Sequence, residues 1–593
     1  MAQVSEQLKL LIRILLRESN SDKTNLVPLL RQIRQVAGPI TKPMVAFIAS
    51  ELNLHYSAVL DTASFYTFLD FNRTGKIAIR LAKTPISLMK GADELAAAFE
   101  KALGVTMGGT SSDGQFSLSW TSDLGMSDQE PSALIEDWPL TRLSPNHVPE
   151  IIQLLRSGLP LSQHDHSRVD FGIQRKGPVL FSEHPPNEGL QKALLLAPEN
   201  VIEEVTRSRL RGRGGAGFPT GLKWKSCRSF AARDRVVICN ADEGEPGTFK
   251  DRVLLSEVPE LLLEGITIAA WAIGASIGII YLRAEYAYLK PVLEKHLQER
   301  REKGLLGTRI HDKDFSFDIQ IHMGAGAYIC GEESALIESL EGKRGAPRDR
   351  PPYPTERGYL GLPTTVNNVE TFACIPRILA RGADWFSRIG THDSTGTKLH
   401  SISGDCNKPG VYEVPFGATV KELLELADAP DVAAVQIGGP SGHLIGPKDF
   451  DRKIAFEDLP SGGSFMIFNS QRDLLQIVRG FSEFFKEESC GWCVPCRVGT
   501  ALFPRLLDKI LGQQGTLADL HQLESLAGTV ARTSRCGLGQ TAPNPILDSL
   551  KNFRPLWDSQ LTNLDFQPDF DLEKSLAEAT QLRTDARERI SLL

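Results

Sequence analysis

At 593 residues the chain exceeds what one hydrophobic core sustains, because single cores stop growing near ~250–300 residues, so several domains are expected. Apolar residues make up 41% and charged residues 23%, a globular balance that excludes wholesale disorder. A net charge of −7 argues for solubility and against nucleic acid as a partner. No amino-terminal signal peptide is visible, since charges interrupt the apolar stretch 8–17 at helical spacing. The longest uncharged run, 265–282, contains Gly265, Gly274 and Gly278 and reads as a helix followed by a buried strand, not as a membrane span of ~20 apolar residues. A cytoplasmic chain with no direct membrane insertion is the expectation.

In chain order, residues 1–75 read as a helical bundle, with apolar residues at spacings of three and four in 27–36 and 43–52. Residues 76–145 read as a small β-α-β domain: an alternating strand at 76–81, a helix at 91–103 and a strand at 116–120. The stretch 146–195 is rich in proline (Pro149, Pro160, Pro178, Pro185, Pro186) and reads as a linker.

A domain over 196–395 follows, opened by a loop with five glycines in ten residues: Gly212, Gly214, Gly215, Gly217 and Gly221. Such a run is costly inside a helix or strand, but it lets a flat or charged ligand approach the backbone, with N–H groups free for phosphate. A plain flexible loop is the alternative, because the dinucleotide fingerprint should follow a strand and residues 201–210 look helical. The run Val236–Cys239 reads as a buried strand that delivers Asn240, Asp242, Glu243 and Glu245 at its carboxyl end, where open α/β sheets place ligands. Further on, Gly324 and Gly326 form a second tight loop, followed by Tyr328 and by Gly331, where a helix begins with Glu332 and Glu333 in its first turn. Those glutamates suit a helix amino end, so helix stabilisation competes with ligand contact. Residues 348–354 are proline-stiffened and present Tyr353. Asn367 and Asn368, with Thr371 beyond them, can donate and accept side by side or serve as turn and cap residues.

Residues 396–470 read as a small α+β module with one helix at 420–427 and no evident chemistry. Residues 471–560 are helical, with Leu474, Val478, Phe481 and Phe485 on one face of the first helix; a tail, 561–593, completes the chain. Four of the nine cysteines cluster here: Cys490, Cys493 and Cys496 at C-x₂-C-x₂-C spacing, with Cys536 as the remaining candidate ligand after two more helices. Zinc is the rival metal, but zinc sites usually pair two C-x₂-C knuckles, and three consecutive spacings favour a four-iron cluster. The other five, Cys227, Cys239, Cys330, Cys374 and Cys406, are scattered and read mostly as buried free thiols.

The glycine loop, the carboxylate-bearing strand and the 323–343 and 364–371 blocks together resemble the flavin-bearing, NADH-binding (51 kDa) subunit of respiratory complex I and its soluble diaphorase relatives. The fold this implies is multidomain α/β: an amino-terminal helical plus thioredoxin-like domain, a Rossmann-like FMN domain, a β-grasp module and a carboxyl-terminal helical bundle with an iron–sulfur cluster. By resemblance Gly212, Gly214, Lys223, Asn240, Asp242, Glu332, Asn367 and Asn368 hold FMN. Gly215, Ala216, Phe218, Glu245, Glu333 and Tyr353 face the nicotinamide nucleotide, and Glu243, Tyr328, Gly331 and Thr371 belong to the same pocket. Hydride transfer between nicotinamide and flavin needs no catalytic side chain. Cys490, Cys493, Cys496 and Cys536 carry one [4Fe-4S] cluster, at the family's place and spacing.

Residues 62–68 and 114–118 resemble the thioredoxin-like (24 kDa) partner subunit, which carries a two-iron cluster. Here the positions of its cysteines fall at or near Ala82, Ser87, Asp123 and Ser127, none of which supplies a thiolate, so no cluster is expected and a docking role replaces it. Ser226 stands where the family has an aromatic residue against adenine. The fusion of a cluster-free first domain to the flavin domain resembles the diaphorase α subunit of soluble NAD-reducing [NiFe] hydrogenases. The partners implied are an iron–sulfur diaphorase small subunit and, through it, a [NiFe] hydrogenase heterodimer. The alternatives are a flavin subunit of an NAD-dependent formate dehydrogenase or NADH:quinone oxidoreductase, and a non-catalytic nucleotide-fold scaffold.

Overall fold

The computed structural model describes residues 4–18, 22–71 and 75–562, together with 576, 577, 580, 581 and 583. The expected tail at 561–593 therefore lies almost wholly outside the described residues.

At the centre is a parallel four-stranded sheet in the order Asp318–Met323, Ile277–Leu282, Val236–Ala241 and Thr364–Asn368. The two central strands, Val236–Ala241 and Ile277–Leu282, are largely apolar on both faces because both are covered. Val237, Cys239 and Ala241 face one core with the helices Pro259–Ile273 and Val369–Arg381, and the uncharged run 265–282 is thus a buried helix and its following strand. Val236 and Ile238 face the other way.

That second face is covered from the amino terminus. The helices Glu6–Glu18, Leu26–Ala37, Lys42–Glu51 and Tyr56–Phe65 bury Leu30, Ile33, Val45 and Ile48 in one cluster with Ile238, Ile279 and Leu336. The amino-terminal helices are not a bundle closed on itself but a layer on the central sheet. Their apolar stripe is evident from spacing; its partner, about 200 residues away in sequence, is not.

The strands Ile77–Ala82 and Phe116–Thr121 pair in parallel around the helix Ala92–Leu103, and the short strands Ala133–Ile135 and Trp138–Leu140 complete a second sheet. Two findings correct the reading of 146–195 as a linker. Residues Val148–Ser157 form a helix that buries Val148, Ile151 and Ile152 against this second sheet, and Pro149 sits in its first turn, where no amide donor is needed. Ile173–Arg175 then joins the edge of a six-stranded mixed sheet whose other strands lie between Thr397 and Asn469.

The carboxyl-terminal helices begin with Leu474–Glu488, capped by Asp473, which accepts from the amides of Leu475 and Gln476. Val494–Leu511 and Leu517–Thr533 pack beside it around Val478, Phe481, Phe503 and Leu523. No helix among the described residues is long and apolar enough to cross a membrane.

Candidate functional site

The glycine loop passes the carboxyl end of the strand Thr364–Asn368, which neighbours Val236–Ala241 in the sheet. Gly214 lies against Asn368, whose Cβ would be 3.2 Å from a side chain added there, and Gly215 adopts φ +125°, which disfavours any other residue. The loop is fastened from below: Arg213 donates its amide to Thr371 Oγ1 at 2.9 Å and its buried guanidinium to Thr395 O at 2.6 Å. Thr371 thus serves the loop, and Gly214, Gly215, Ala216 and the half-exposed Phe218 stay free for a ligand. One glycine departs from expectation. Gly221 lies within the helix Thr220–Ser229, where a Cβ would fall 2.2 Å from Thr206 Oγ1, so it serves the close approach of two helices.

Around this loop the expected residues are tied to one another. Lys223 Nζ donates to Glu333 Oε2 at 2.9 Å and to Val366 O at 3.0 Å, which with nearby Arg350 holds the Glu333 carboxyl below its usual range. Glu332 caps the helix Glu333–Leu340 by accepting from the amides of Ser334 and Ala335, and its other oxygen accepts from Arg350. The helix-stabilising role considered for Glu332 is therefore real, and its outer oxygen is turned to a cation. Asn240 Nδ2 donates to Gly331 O at 2.8 Å, and Trp224 Nε1 donates to Asn367 Oδ1 at 3.0 Å. Gly212 hydrogen-bonds Phe218 O across the base of the loop, and Tyr353 stands 54% exposed at the rim.

Three carboxylates differ sharply. Asp242 has a buried Oδ2 with no hydrogen bond, and burial pushes its carboxyl well above the usual range. Glu243 is turned inward: it accepts from the amides of Asp251 and Arg252 at 2.8 and 3.1 Å and from Tyr286 Oη at 2.9 Å, and burial pushes it up to about 7. Those oxygens hold the start of the helix Lys250–Glu257, so Glu243 supports the pocket from behind. Glu245 accepts from Tyr328 Oη at 2.5 Å, from Ser441 N at 2.8 Å and from Ser441 Oγ at 2.8 Å, so a ribose would share oxygens already bonded within the protein.

Sequence reasoning passed over Lys250 and Asp251. Both are buried, and they grip Asn368 from two sides: Lys250 Nζ donates to its Oδ1 at 3.2 Å, and its Nδ2 donates to Asp251 Oδ2 at 2.6 Å. A run of three charged residues, Lys250 to Arg252, looks like solvated surface in sequence; its only signal was its place directly after the carboxylate strand.

Three of the four thiols lie at the starts of two helices, and Cys490 lies in the loop after the helix Leu474–Glu488. Cys493 precedes the helix Val494–Leu511, Cys496 lies in its first turn, and Cys536 precedes the helix Gly537–Thr541. A Cβ on Gly539 would lie 3.0 Å from Cys496 Cβ, which shows how closely the Cys536 turn packs on the first loop. Cys490 and Cys496 are buried, while Cys493 and Cys536 are partly exposed. Burial pushes Cys496 up to about 12 and Cys536 up to about 11, so a compensating metal charge would be needed to hold them as thiolates. Among the described residues no group of three or more His, Cys, Asp or Glu is placed to hold a metal ion. The other five cysteines are free, and all but Cys406 are buried.

Ala82, Ser87, Asp123 and Ser127 are all buried. Asp123 accepts from Gly125 N at 2.8 Å and pairs with Arg283 of the central domain at 3.2 Å, and Ser87 Oγ meets Thr84 Oγ1 at 2.7 Å. Nearby Arg252, fully buried, donates to Asp128 and to Gly125 O. Of the four positions where the resembling subunit has thiolates, Asp123 makes a polar contact to the central domain, Ser87 bonds within its own domain, and the Ser127 hydroxyl is buried without a hydrogen bond.

Three family descriptions match the chain: a thioredoxin-like [2Fe-2S] ferredoxin over residues 12–156, the Nuo51 FMN-binding domain over 205–377, and the NADH-ubiquinone oxidoreductase-F iron–sulfur binding region over 476–560. The NAD-reducing hydrogenase HoxS subunit alpha of Cupriavidus necator is 47% identical over 583 residues, covering 95% of this chain and 97% of that protein. This chain belongs to the NAD-reducing hydrogenase alpha-subunit family. A solved NAD⁺-reducing [NiFe]-hydrogenase in the H2-reduced state matches with a TM-score of 0.87 at 39% identity, covering 95% of this chain and 97% of that one. An NADH-quinone oxidoreductase chain of Rhizobium meliloti is 42% identical over 62% of this chain and 90% of its own length. The NADP-reducing hydrogenase subunit HndC of Solidesulfovibrio fructosivorans is 45% identical over 62% of this chain and 77% of that protein. An alpha-subunit of this family is thus multidomain α/β, with thioredoxin-like, FMN-binding and carboxyl-terminal iron–sulfur regions.

The donor sets suit those groups. The orphaned Asp242 oxygen and the open glycine backbone offer hydrogen-bonding groups of the kind a flavin nucleotide uses, and four thiols, three at helix starts and Cys490 in the loop before them, are the ligand type an iron–sulfur cluster requires.

Proposed function

We propose that this chain exchanges hydride between NAD(H) and FMN and passes single electrons through one [4Fe-4S] cluster to partner subunits of an NAD-reducing hydrogenase, H2 + NAD⁺ = H⁺ + NADH. The observation that carries the reading is the near full-length match, at 47% identity, to an NAD-reducing hydrogenase alpha subunit, in a chain that joins the FMN-binding and iron–sulfur regions. Bound FMN supplies a carrier that takes two electrons as hydride and releases them singly, and the cluster takes them one at a time.

The chain's own residues bind, orient and exclude water. Gly212, Gly214, Lys223, Asn240, Asp242, Glu332, Asn367 and Asn368 are assigned to FMN, with Lys250 and Asp251 fixing the Asn368 amide. Gly215, Ala216, Phe218, Glu245, Glu333 and Tyr353 are assigned to the nicotinamide nucleotide. Cys490, Cys493, Cys496 and Cys536 are assigned to the cluster. NAD(H) is the nucleotide assigned, although an NADP-reducing relative at 45% identity means that family membership alone does not choose between the two.

The thioredoxin-like domain is assigned no cluster. Its family description names a two-iron centre, but Ala82, Ser87, Asp123 and Ser127 offer no thiolate. The assembly is placed in the cytoplasm, with an iron–sulfur diaphorase small subunit and a [NiFe] hydrogenase heterodimer as partners.

Absorbance and iron analysis of the purified chain test the cofactors: flavin bands with about four irons per chain are expected for one [4Fe-4S] cluster, and about six irons would overturn the cluster-free assignment. Hydrogen-dependent against formate-dependent NAD⁺ reduction by the native complex tests the donor.

A further inference from the structure

The helix Leu474–Glu488 ends two residues before Cys490, and its last residue is gripped from two sides. Ser122 Oγ, just beyond the strand Phe116–Thr121, donates to Glu488 Oε1. The backbone N–H of Tyr328 donates to Glu488 Oε2 at 2.9 Å. One turn earlier in the same helix, Phe484 meets the Tyr328 ring edge-on, with centroids 5.0 Å apart. The Tyr328 hydroxyl donates to Glu245 and lies 2.8 Å from Ser441 Oγ. Tyr328 is therefore held by backbone, ring and hydroxyl, and two of those three holds come from the helix that leads into the cysteine loop.

We propose that Glu488 is a positioning residue that ties the nucleotide loop at Tyr328 to the cluster loop at Cys490, and that Ser122 is what the thioredoxin-like domain contributes to this tie. The inference rests on the proposed function, because it gives the tie a purpose: keeping the nucleotide pocket and the first one-electron carrier in fixed relation. A hydrogen-bonded support of this kind orients groups that touch cofactors without touching them itself.

Ser122 matters because Glu488 also borders a cavity of about 230 Å³ lined by Asp61, Phe65, Gly326, Arg344 and Ser489. A carboxylate at the wall of a polar cavity can turn to water. With Ser122 holding Oε1, Oε2 stays aimed at the Tyr328 amide. This explains the retention of a thioredoxin-like domain whose cysteines are gone: its loop after Thr121 presents Asp123 to Arg283 and Ser122 to Glu488, fastening both sides of the pocket.

The test uses the assembled complex carrying Ser122→Ala, Glu488→Ala or Glu488→Gln, with flavin and iron contents measured first. The KM for NADH and kcat are read with an artificial acceptor that takes electrons at the flavin, and the reduced cluster is read by electron paramagnetic resonance. Ser122→Ala and Glu488→Ala are expected to raise the KM about threefold or more, to leave kcat within about twofold, and to shift the cluster's g-values. Glu488→Gln should match wild type, because its amide oxygen accepts from Tyr328 while its NH₂ donates to Ser122. Wild-type KM and g-values in Ser122→Ala would overturn the proposal, and so would a Glu488→Gln variant as impaired as Glu488→Ala. Where Ser122→Ala lowers flavin or iron content, Ser122→Thr decides: wild-type behaviour supports the tie, and the alanine phenotype overturns it. A wild-type complex lacking flavin or cluster would instead be a failure of the proposed function.

Discussion

Replacing Glu130 by Gln should stabilise the thioredoxin-like domain, and by an amount that grows with pH. Glu130 Oε2 accepts from Ser132 Oγ at 2.9 Å, while its Oε1, near Ser87, is buried without a hydrogen bond. Burial pushes the carboxyl from its ordinary 4.5 up to about 8. Between those values the folded chain keeps a proton that the unfolded chain has released. The contribution is fully present below pH 4.5 and is lost as the pH rises through about 8. At about 1.4 kcal/mol per pH unit, the loss reaches roughly 3 kcal/mol at pH 7 and at most about 5 kcal/mol above pH 8. Gln carries no charge and keeps an oxygen for Ser132, so the difference between variant and wild type should open from near zero at acid pH to roughly 3 kcal/mol at pH 7. Because a chain of several domains does not unfold in one step, the measurement is hydrogen exchange at the amides of Ile77–Ala82 and Phe116–Thr121, variant against wild type at each pH. A difference that stays flat between pH 5 and about 8 would refute the reasoning.

Cys493→Ser should leave flavin and NADH binding in place, since the thiol lies outside the glycine-loop domain, while electron exchange with partner subunits collapses; partner-linked activity at the wild-type rate would remove the cluster from the path. Glu245→Gln keeps an oxygen for Tyr328 Oη and Ser441 Oγ, gives up the one that accepts from Ser441 N, and removes the charge, so preference for NAD(H) over NADP(H) in kcat/KM should fall about tenfold, equivalent to about 1.4 kcal/mol. An unchanged ratio would mean that this carboxylate serves only its protein partners. Asp128→Asn leaves the fully buried Arg252 without its counter-charge and should cost about 3–5 kcal/mol, read as a lower denaturant midpoint for release of the thioredoxin-like domain. The double variant Asp128→Leu with Arg252→Met should recover much of that loss, and a loss as large as in the single variant would argue against a charge effect.

Much of the chemistry was legible in the residues themselves. Glycine spacing, the apolar run Val236–Cys239 followed by carboxylates, and three thiols at C-x₂-C-x₂-C each encode their meaning within about ten residues. So do the amphipathic stripes of 27–36 and 474–485, because helical periodicity is local. What those stripes meet is not local. That the amino-terminal helices cover the second face of the central sheet, and that Val148–Ser157 and Ile173–Arg175 leave the proline-rich stretch to join two different sheets, depends on contacts across up to about 300 residues.

Direction is the other thing only the tertiary structure decides. Asp242, Glu243 and Glu245 follow one strand within four residues, and by type alone all three could face a ligand. In the fold, Asp242 keeps an orphaned oxygen, Glu243 spends both of its oxygens on the helix at Lys250, and Glu245 is taken by Tyr328 and Ser441. Gly221 likewise belongs to a helix contact and not to the loop it resembles in sequence. A residue's type sets which hydrogen bonds and charges it can offer; which partner claims them depends on what the rest of the chain packs against it, because a buried polar group left unpaired costs about 1–3 kcal/mol.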